Sequence, residues 1–264
     1  MSFLAKILAE KREEVLARKK SAPLDKLERM PFFLRETISL LKALKGKELA
    51  VIAEIKRASP SKGVLREQFE PLEIAEKYVR AGASAISVLT DFKFFQGRLE
   101  YIRDMREIIS VPILRKDFVI DEYQIHESKA YGADAVRLIT AALQSHQLRN
   151  LLQASSELGL ECLVEVHNKK EIDSLDFSLV KMVGINNRDL TTFETDLAAS
   201  LELREHIPPD VIVVSESGIN SRRDLDQLVR HGIHAALIGE VFMRAEDPGK
   251  ALAELMANDV RVSS

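Results

Sequence analysis

Apolar positions along this chain change their spacing at about residue 50. Before it they recur every three to four residues: Phe3, Leu4, Ile7 and Leu8, then Val15 and Leu16, with Lys, Arg and Glu between them. That spacing predicts a helix from residue 3 to about 20. Ser21-Ala22-Pro23 breaks it. Residues 24–46 hold a second apolar set, interrupted at Pro31 and stopped at Gly46. So short a segment makes no domain of its own and reads as helical cover on a larger body. From residue 50 the pattern becomes strand and helix in alternation. Strands are expected at 50–55, 84–89, 111–115, 134–139, 160–165, 181–186, 211–215 and 235–239. Helices are expected near 70–81, 98–109, 121–131, 144–158, 168–175, 196–206, 220–231 and 248–257.

An internal repeat supports this count. Ala81-Gly82-Ala83-Ser84-Ala85-Ile86, Tyr131-Gly132-Ala133-Asp134-Ala135-Val136 and His231-Gly232-Ile233-His234-Ala235-Ala236 share one plan. Each is a helix end with a glycine stop, then a small residue, then an apolar strand. The glycine intervals of 50 and 100 residues imply a unit of about 25, with a missing copy expected near 182. Eight such units match a closed (β/α)8 barrel. An open doubly wound sheet is the competing architecture, but the first βα turn lacks a Gly-x-Gly-x-x-Gly phosphate loop. The expected organisation is one barrel domain over 1–264, of which 1–47 is a helical extension.

Composition narrows the class. The chain has 264 residues, 46% of them hydrophobic, enough for a sizeable core. Cys162 is the single cysteine, which excludes a disulfide framework and fits a reducing, cytoplasmic setting. A net charge of −3 without a basic tract argues against nucleic acid. No apolar run approaches the ~20 residues of a membrane span. The amphipathic, acid-containing start resembles neither a signal nor a transit peptide.

In a barrel the chemistry lies at the carboxyl ends of the strands. In Val51-Ile52-Ala53-Glu54-Ile55-Lys56, an apolar strand places Glu54 and Lys56 two residues apart, on one face. Charges there are costly unless paired or used. Other strands end alike: Leu114-Arg115-Lys116-Asp117, Arg137, Glu165, Asn186-Asn187-Arg188-Asp189 and Glu216. Acids (Glu54, Glu165, Glu216) and bases (Lys56, Lys116, Arg188) so gathered would shift one another's pKa values. They could keep one lysine as an acid beside a glutamate acting as a base. Asn187, Asp189 and Asp117 read as solvated or capping residues. Ser217-Gly218 and Gly239-Glu240 lead toward helix N-termini after strands 7 and 8, where backbone N–H groups can meet a phosphate. The six histidines are scattered, with no His-x-x-x-His or Cys-x-x-Cys spacing, so no metal site is expected. Cys162, early in its strand, reads as core.

These residues also form six ordered stretches that resemble the indole-3-glycerol phosphate synthase family. They are Glu54-Ile55-Lys56-Arg57-Ala58-Ser59-Pro60-Ser61-Lys62-Gly63; Leu89-Thr90-Asp91 with Phe94-Phe95-Gln96-Gly97; and Leu114-Arg115-Lys116-Asp117-Phe118 with Ile120-Asp121. The others are Leu163-Val164-Glu165-Val166-His167, Gly184-Ile185-Asn186-Asn187-Arg188-Asp189-Leu190 and Ser215-Glu216-Ser217-Gly218-Ile219. Arg98 departs from the pattern, where a serine is expected. The resemblance implies a barrel with its N-terminal extension over the mouth. It implies closure of the indole ring of 1-(2-carboxyphenylamino)-1-deoxyribulose 5-phosphate with loss of CO2 and water, in tryptophan biosynthesis, with no cofactor and no metal. It also implies roles. Lys116 is the acid at the ribulose carbonyl and Glu165 the base. Lys56 or Lys116 is the acid in dehydration. Glu54 orients the lysines, and Asn186 hydrogen-bonds the substrate. Ser59 and Arg188 serve the carboxylate end or hold Lys56 and Glu54. Phe94, Phe95, Leu114 and Leu190 enclose the aromatic ring. Gly218 and Gly239, with the backbone N–H groups of Ser217 and Glu240, hold the phosphate; Ser217 also counts among the catalytic residues, while Glu216 lies at the substrate. Chain length, apart from the resemblance, suggests a free-standing, monofunctional enzyme, with a monomer as the expected state. Two other readings compete: a phosphosugar barrel such as phosphoribosylanthranilate isomerase, and a catalytically dead barrel. Two strand-end lysines with Glu165 argue against the first. Retention of Glu54, Lys56, Lys116, Glu165 and Asn186 argues against the second.

Overall fold

The computed structural model describes residues 2–189 and 192–257. Eight parallel strands close on themselves: β1 (Ala50–Ile55), β2 (Ala85–Leu89), β3 (Ile113–Lys116), β4 (Ala135–Ile139), β5 (Glu161–Val166), β6 (Met182–Asn186), β7 (Ile212–Glu216) and β8 (Ala235–Ile238). β1 pairs with β2 on one side and with β8 on the other, so no edge remains. Helices separate the strands in chain order, as in a (β/α)8 barrel. One unpredicted element is a short hairpin, Ala58–Ser59 with Gly63–Val64, inside the first βα loop.

The period-two alternation of a strand sorts the side chains into two cores. Val51, Ala53 and Ile55 of β1 join the cluster between barrel and helices. Ala50 and Ile52 join the interior cluster with Ala85, Leu114, Ala135, Leu163, Met182, Val214 and Leu237. Continuing the interior phase upward leads to Glu54 and Lys56, Lys116, Arg137, Glu165, Asn186 and Glu216. Strand parity therefore delivers the charged groups to one end of one cavity.

The glycine stops have a common geometry. Gly82, Gly132 and Gly232 all have φ between +67° and +93°. Each closes its helix by donating three residues back, while the next residue donates five back, as with Gly82 N to Val79 O and Ala83 N to Tyr78 O. The missing copy is not near 182. It is Gly159, φ +70°, ahead of β5, where Gly159 N and Leu160 N make the same two bonds. The units are unequal in length, so a fixed interval misplaced it.

The extension does more than cover the mouth. Helix α1 (Phe3–Ser21) buries Ile7, Lys11 and Val15, one position per turn, whereas Leu16 is exposed. Its first turns pack Phe3, Leu4 and Ile7 against Phe118 and Ile139 at the mouth. Helix α2 (Leu24–Glu28) sets Leu27 beside Tyr123 and Ala130, on the outer face of helix Glu122–Ala130. Helix α3 (Leu40–Leu44) lies at the opposite end, where Leu40 and Leu44 complete the interior cluster. There Ser39 Oγ and Leu41 N bind Glu161 at 2.6 and 2.7 Å, and Ile38 N binds Asp134 at 2.7 Å, both at strand starts.

Lys11 interrupts the apolar stripe of α1 because it meets two buried carboxylates. Its Nζ lies 2.9 Å from both Asp91 and Asp117 and 2.8 Å from Glu14. Asp117 is not the solvated or capping residue expected. It is fully buried, bound also by Thr90 Oγ1 at 2.6 Å and Arg115 at 3.0 Å. Burial works against its ionisation, but Lys11 and Arg115 hold it below the usual carboxylate range. Lys11→Met strips Asp91 and Asp117 of a buried cation, a loss that typically costs ~3–5 kcal/mol. Urea unfolding should show a drop of that order; a drop below 1 kcal/mol would mean that the network contributes little.

Candidate active site

A cleft of about 1320 Å³ opens at the carboxyl end of the barrel. At its floor Lys116 Nζ lies 2.7 Å from Glu216 Oε2 and 3.0 Å from Glu54 Oε2. Glu54 Oε1 accepts from Lys56 Nζ at 2.7 Å, so one carboxylate holds both lysines. Beside this chain Arg137 Nη1 binds Glu165 Oε2 at 2.8 Å, and Asn186 Nδ2 donates to Glu165 Oε1 at 3.0 Å. His167 Nε2 stands 3.4 Å from the same Oε1. Further out, Arg188 donates to Phe193 O at 2.9 Å and approaches Glu240 Oε2 at 3.5 Å.

Two glycines make room for these carboxylates. A β-carbon on Gly184 would fall inside the Glu216 carboxylate, at Oε1. One on Gly239 would meet Glu54 Oε1 at 2.8 Å and Glu54 Cβ at 2.9 Å. Gly184 lies on the interior phase of β6, and Gly239, just past β8, continues the phase of Leu237, so the acids fill space that any larger residue would occupy.

Burial and pairing compete at each acid, and pairing prevails at two of three. For Glu54, burial alone would raise the pKa, but Lys116 and Lys56 outweigh it and hold the carboxyl at about 2. For Glu165, Arg137 and His167 overcome burial and keep it well below the usual range. Glu216 goes the other way, pushed up by burial, with Glu165 adding to the push. Lys116 is disfavoured as a cation by burial, yet Glu216 and Glu54 hold it above the ordinary lysine value. The resting site thus holds a protonated lysine beside an ionised carboxylate, one donor and one acceptor facing one cavity. Among the described residues, no three His, Cys, Asp or Glu side chains stand where they could hold a metal ion. Cys162 packs against the outer core, and burial pushes its thiol up to about 12.

A family model described as indole-3-glycerol phosphate synthase matches residues 4–255. Two curated relatives of that name, from two strains of Burkholderia ambifaria, are 48% identical over 256 residues, covering 96% of this chain and 98% of each relative. The chain belongs to the indole-3-glycerol phosphate synthase family. It is an enzyme of tryptophan biosynthesis, a carboxy-lyase acting on a small phosphorylated substrate. Among solved structures, the tryptophan synthase α subunit of Legionella pneumophila is similar in fold, with a TM-score of 0.59 at 14% identity, over 81% of this chain and 93% of that one. Thiamine phosphate pyrophosphorylase of Pyrococcus furiosus gives 0.57 at 16%, over 79% and 94%.

Most residues suggested by resemblance to the synthase family line this cleft: Glu54, Lys56, Ser59, Phe95, Lys116, Glu165, Asn186, Arg188, Ser217, Gly218, Gly239 and Glu240. Glu216 lies fully buried beneath Lys116 rather than on the surface of the cleft. Leu114 does not reach the cleft. It sits two residues before Lys116 on the same face, hence one layer deeper, in the interior cluster. Phe94 turns to the N-terminal helix, edge-on to Phe3 at 5.7 Å. Leu190 lies outside the described residues. Asn187 is buried and structural, donating to Ser215 Oγ and Ser217 O and accepting from Ser200. Arg98 is exposed, over the Phe92 ring at 6.0 Å, away from the charged floor. Sequence reasoning left five contributors without a role. Arg137 follows Ala135 on the interior phase, a parity that was legible. Phe118 stacks under the Arg137 guanidinium at 5.2 Å, and Phe3, Leu4 and Ile7 form part of the wall. Only the path of the chain could bring these together.

The depressed pKa of Glu54 ties stability to pH. Its folded value, about 2, lies below the ordinary 4.5, so its contribution is complete above about pH 4.5 and is lost as pH falls toward 2. The gap in unfolding free energy between the parent protein and Glu54→Gln should be on the order of 3 kcal/mol at pH 7. It should narrow steadily below pH 4.5. A gap that stays constant to pH 3 would show that Glu54 is not held by its lysines.

Proposed function

We propose that this cleft closes the indole ring of 1-(2-carboxyphenylamino)-1-deoxyribulose 5-phosphate, with Lys116 as acid and Glu165 as base. The observation that carries the assignment is the pairing at the floor. A buried ammonium stands between Glu54 and Glu216, and an ionised carboxylate stands on the same wall, held by Arg137 and Asn186. In the first step the ring carbon bearing the carboxylate bonds to the ribulose carbonyl carbon. The carbonyl oxygen takes a proton from Lys116, and the adjacent ammonium also stabilises the negative charge developing there. The carbon–carboxylate bond then breaks and returns its electron pair to the ring as CO2 departs. In the last step the new hydroxyl leaves as water with a proton from Lys56 or Lys116, while Glu165 accepts the proton that the ring gives up. One CO2 and one water are released for each indole-3-glycerol phosphate formed.

The other residues follow from the shape of the cleft. Phe95, Phe118, Ile139 and the α1 residues Phe3, Leu4 and Ile7 provide an apolar side for the aromatic ring. Ser217, at φ +70°, and Gly218, at φ +75°, turn the chain back over the mouth opposite Gly239 and Glu240. We assign the phosphate to backbone N–H groups of these two loops. Glu240 directs its carboxylate instead to Arg188, Arg244 and Lys62. Ser59 and Arg188 are assigned to the substrate carboxylate. The single cysteine supports a cytoplasmic setting.

The test is fluorescence of indole-3-glycerol phosphate appearing from the carboxyphenylamino-deoxyribulose phosphate. The chain has no Trp, so the protein background is low. Lys116→Ala and Glu165→Gln should each lower kcat by ~10²–10⁴ with the fold intact. Single-turnover analysis should show Lys116→Ala blocked before CO2 release and Glu165→Gln blocked after it. Near-parental kcat in either variant would remove that residue from its role.

A further inference from the structure

Glu165 has a second cationic neighbour that the proposed chemistry has not used. His167 lies two residues beyond it on the interior phase, with its Nε2 3.4 Å from Glu165 Oε1. The other ring nitrogen, Nδ1, lies 3.4 Å from Glu171 Oε2. Glu171 is fixed by the start of its own helix, Lys169–Asp173. Asn168 caps that helix by accepting from Glu171 N at 3.0 Å. The Glu171 carboxylate turns back to accept from Asn168 Nδ2 at 2.7 Å and from His167 N at 2.8 Å. This is the pairing of a polar cap with an acid three residues on. The imidazole is thereby clamped between a carboxylate at the floor and one at the rim, with its side chain only 11% exposed.

We infer that His167 is a positioning residue that keeps Glu165 oriented and ionised, and that Glu171 acts on Glu165 only through His167. The inference rests on the reading of Glu165 as the base. Around Glu165, Arg137 from β4, Lys116 from β3 and Glu216 from β7 supply the other charges, and Asn186 from β6 supplies a neutral donor. Helix α1 presents only apolar Phe3, Leu4 and Ile7 to the cleft. His167 itself is faced by Glu165 and Glu171 and by neutral Asn168. Burial disfavours its charged form, but the nearby Glu165 and Glu171 carboxylates raise its pKa to about 10. The two carboxylates favour the ring's cationic form, and it stands at one edge of the Glu165 carboxylate. Arg137 holds the other edge. Arg137 and Asn186 hydrogen-bond the two oxygens, and the imidazole 3.4 Å from Oε1 adds positive charge that resists protonation, which is what a base needs before the ring proton reaches it.

The experiment is the pH dependence of kcat in His167→Gln, Glu171→Gln, the double variant and Glu165→Gln. Loss of the imidazolium lets the Glu165 pKa rise, so the acid limb of the His167→Gln profile should move to higher pH by about one unit. KM should change little. Glu171→Gln should move the limb in the same direction by less, and the double variant should match His167→Gln alone. An unmoved limb in His167→Gln would overturn the inference, as would a double-variant shift equal to the sum of the two. Should His167→Gln fail to fold, an unmoved limb in Glu171→Gln overturns it equally. Glu165→Gln separates the two readings. If it keeps parental kcat, the base assignment itself fails; if it is inactive while the His167→Gln limb is unmoved, only the positioning role fails.

Discussion

A lysine ammonium almost sealed from water needs carboxylates within hydrogen-bond reach, and Lys116 has two, Glu54 and Glu216. Much of the barrel's carboxyl end follows from that requirement. Glu216 can sit beneath the lysine only because residue 184 lacks a β-carbon, and Glu54 can sit beside it only because residue 239 lacks one. Glu54 in turn has a second oxygen to satisfy, and Lys56 satisfies it. Arg137 balances Glu165 in the same way. Three acids face three bases, so the floor can be buried before any substrate arrives. The cost of burying charge thus yields an ordered set of proton donors and acceptors.

The extension makes this floor usable. A barrel is open at both ends unless something closes it. Leu40 and Leu44 close one end, and the start of α1 roofs part of the other with apolar side chains. Lys11 connects the roof to the machinery. It binds Asp117, which follows Lys116 directly, and Asp91, which starts the loop carrying Phe95. Helix, loop and the strand that carries Lys116 therefore share one buried ion network. Arg115, on the outer face of β3, extends it to Glu127 on the following helix.

Legibility followed the length scale of the signal. The strand and helix alternation was readable because each strand is buried on both faces and must be apolar. Glu54, Lys116, Glu165 and Glu216 were readable because charge at the end of an apolar run is conspicuous. Arg137 was visible but unassigned, since one arginine in a strand has many structural explanations. Lys11 was hidden because a lysine in a helix normally belongs to the solvated side. Asp117 was misread for a related reason, as one of its two cations, Lys11, comes from more than a hundred residues away. Gly159 escaped because the repeat was sought by interval rather than by the bonds that end a helix.

The sequence by itself determined the local periodicities, the parity that sends alternate side chains inward, and the residue types waiting at each strand end. Those are set by neighbours within a few positions, where backbone geometry leaves little choice. Only the tertiary structure decided which acid meets which base, that Leu114 lies a layer below the cleft, and that α1 supplies one wall while α3 closes the other end. The reason is range. Whether a buried charge is paired, and whether a glycine faces a carboxylate or empty space, depends on groups far apart along the chain. Closing the barrel brings them within 3 Å of one another.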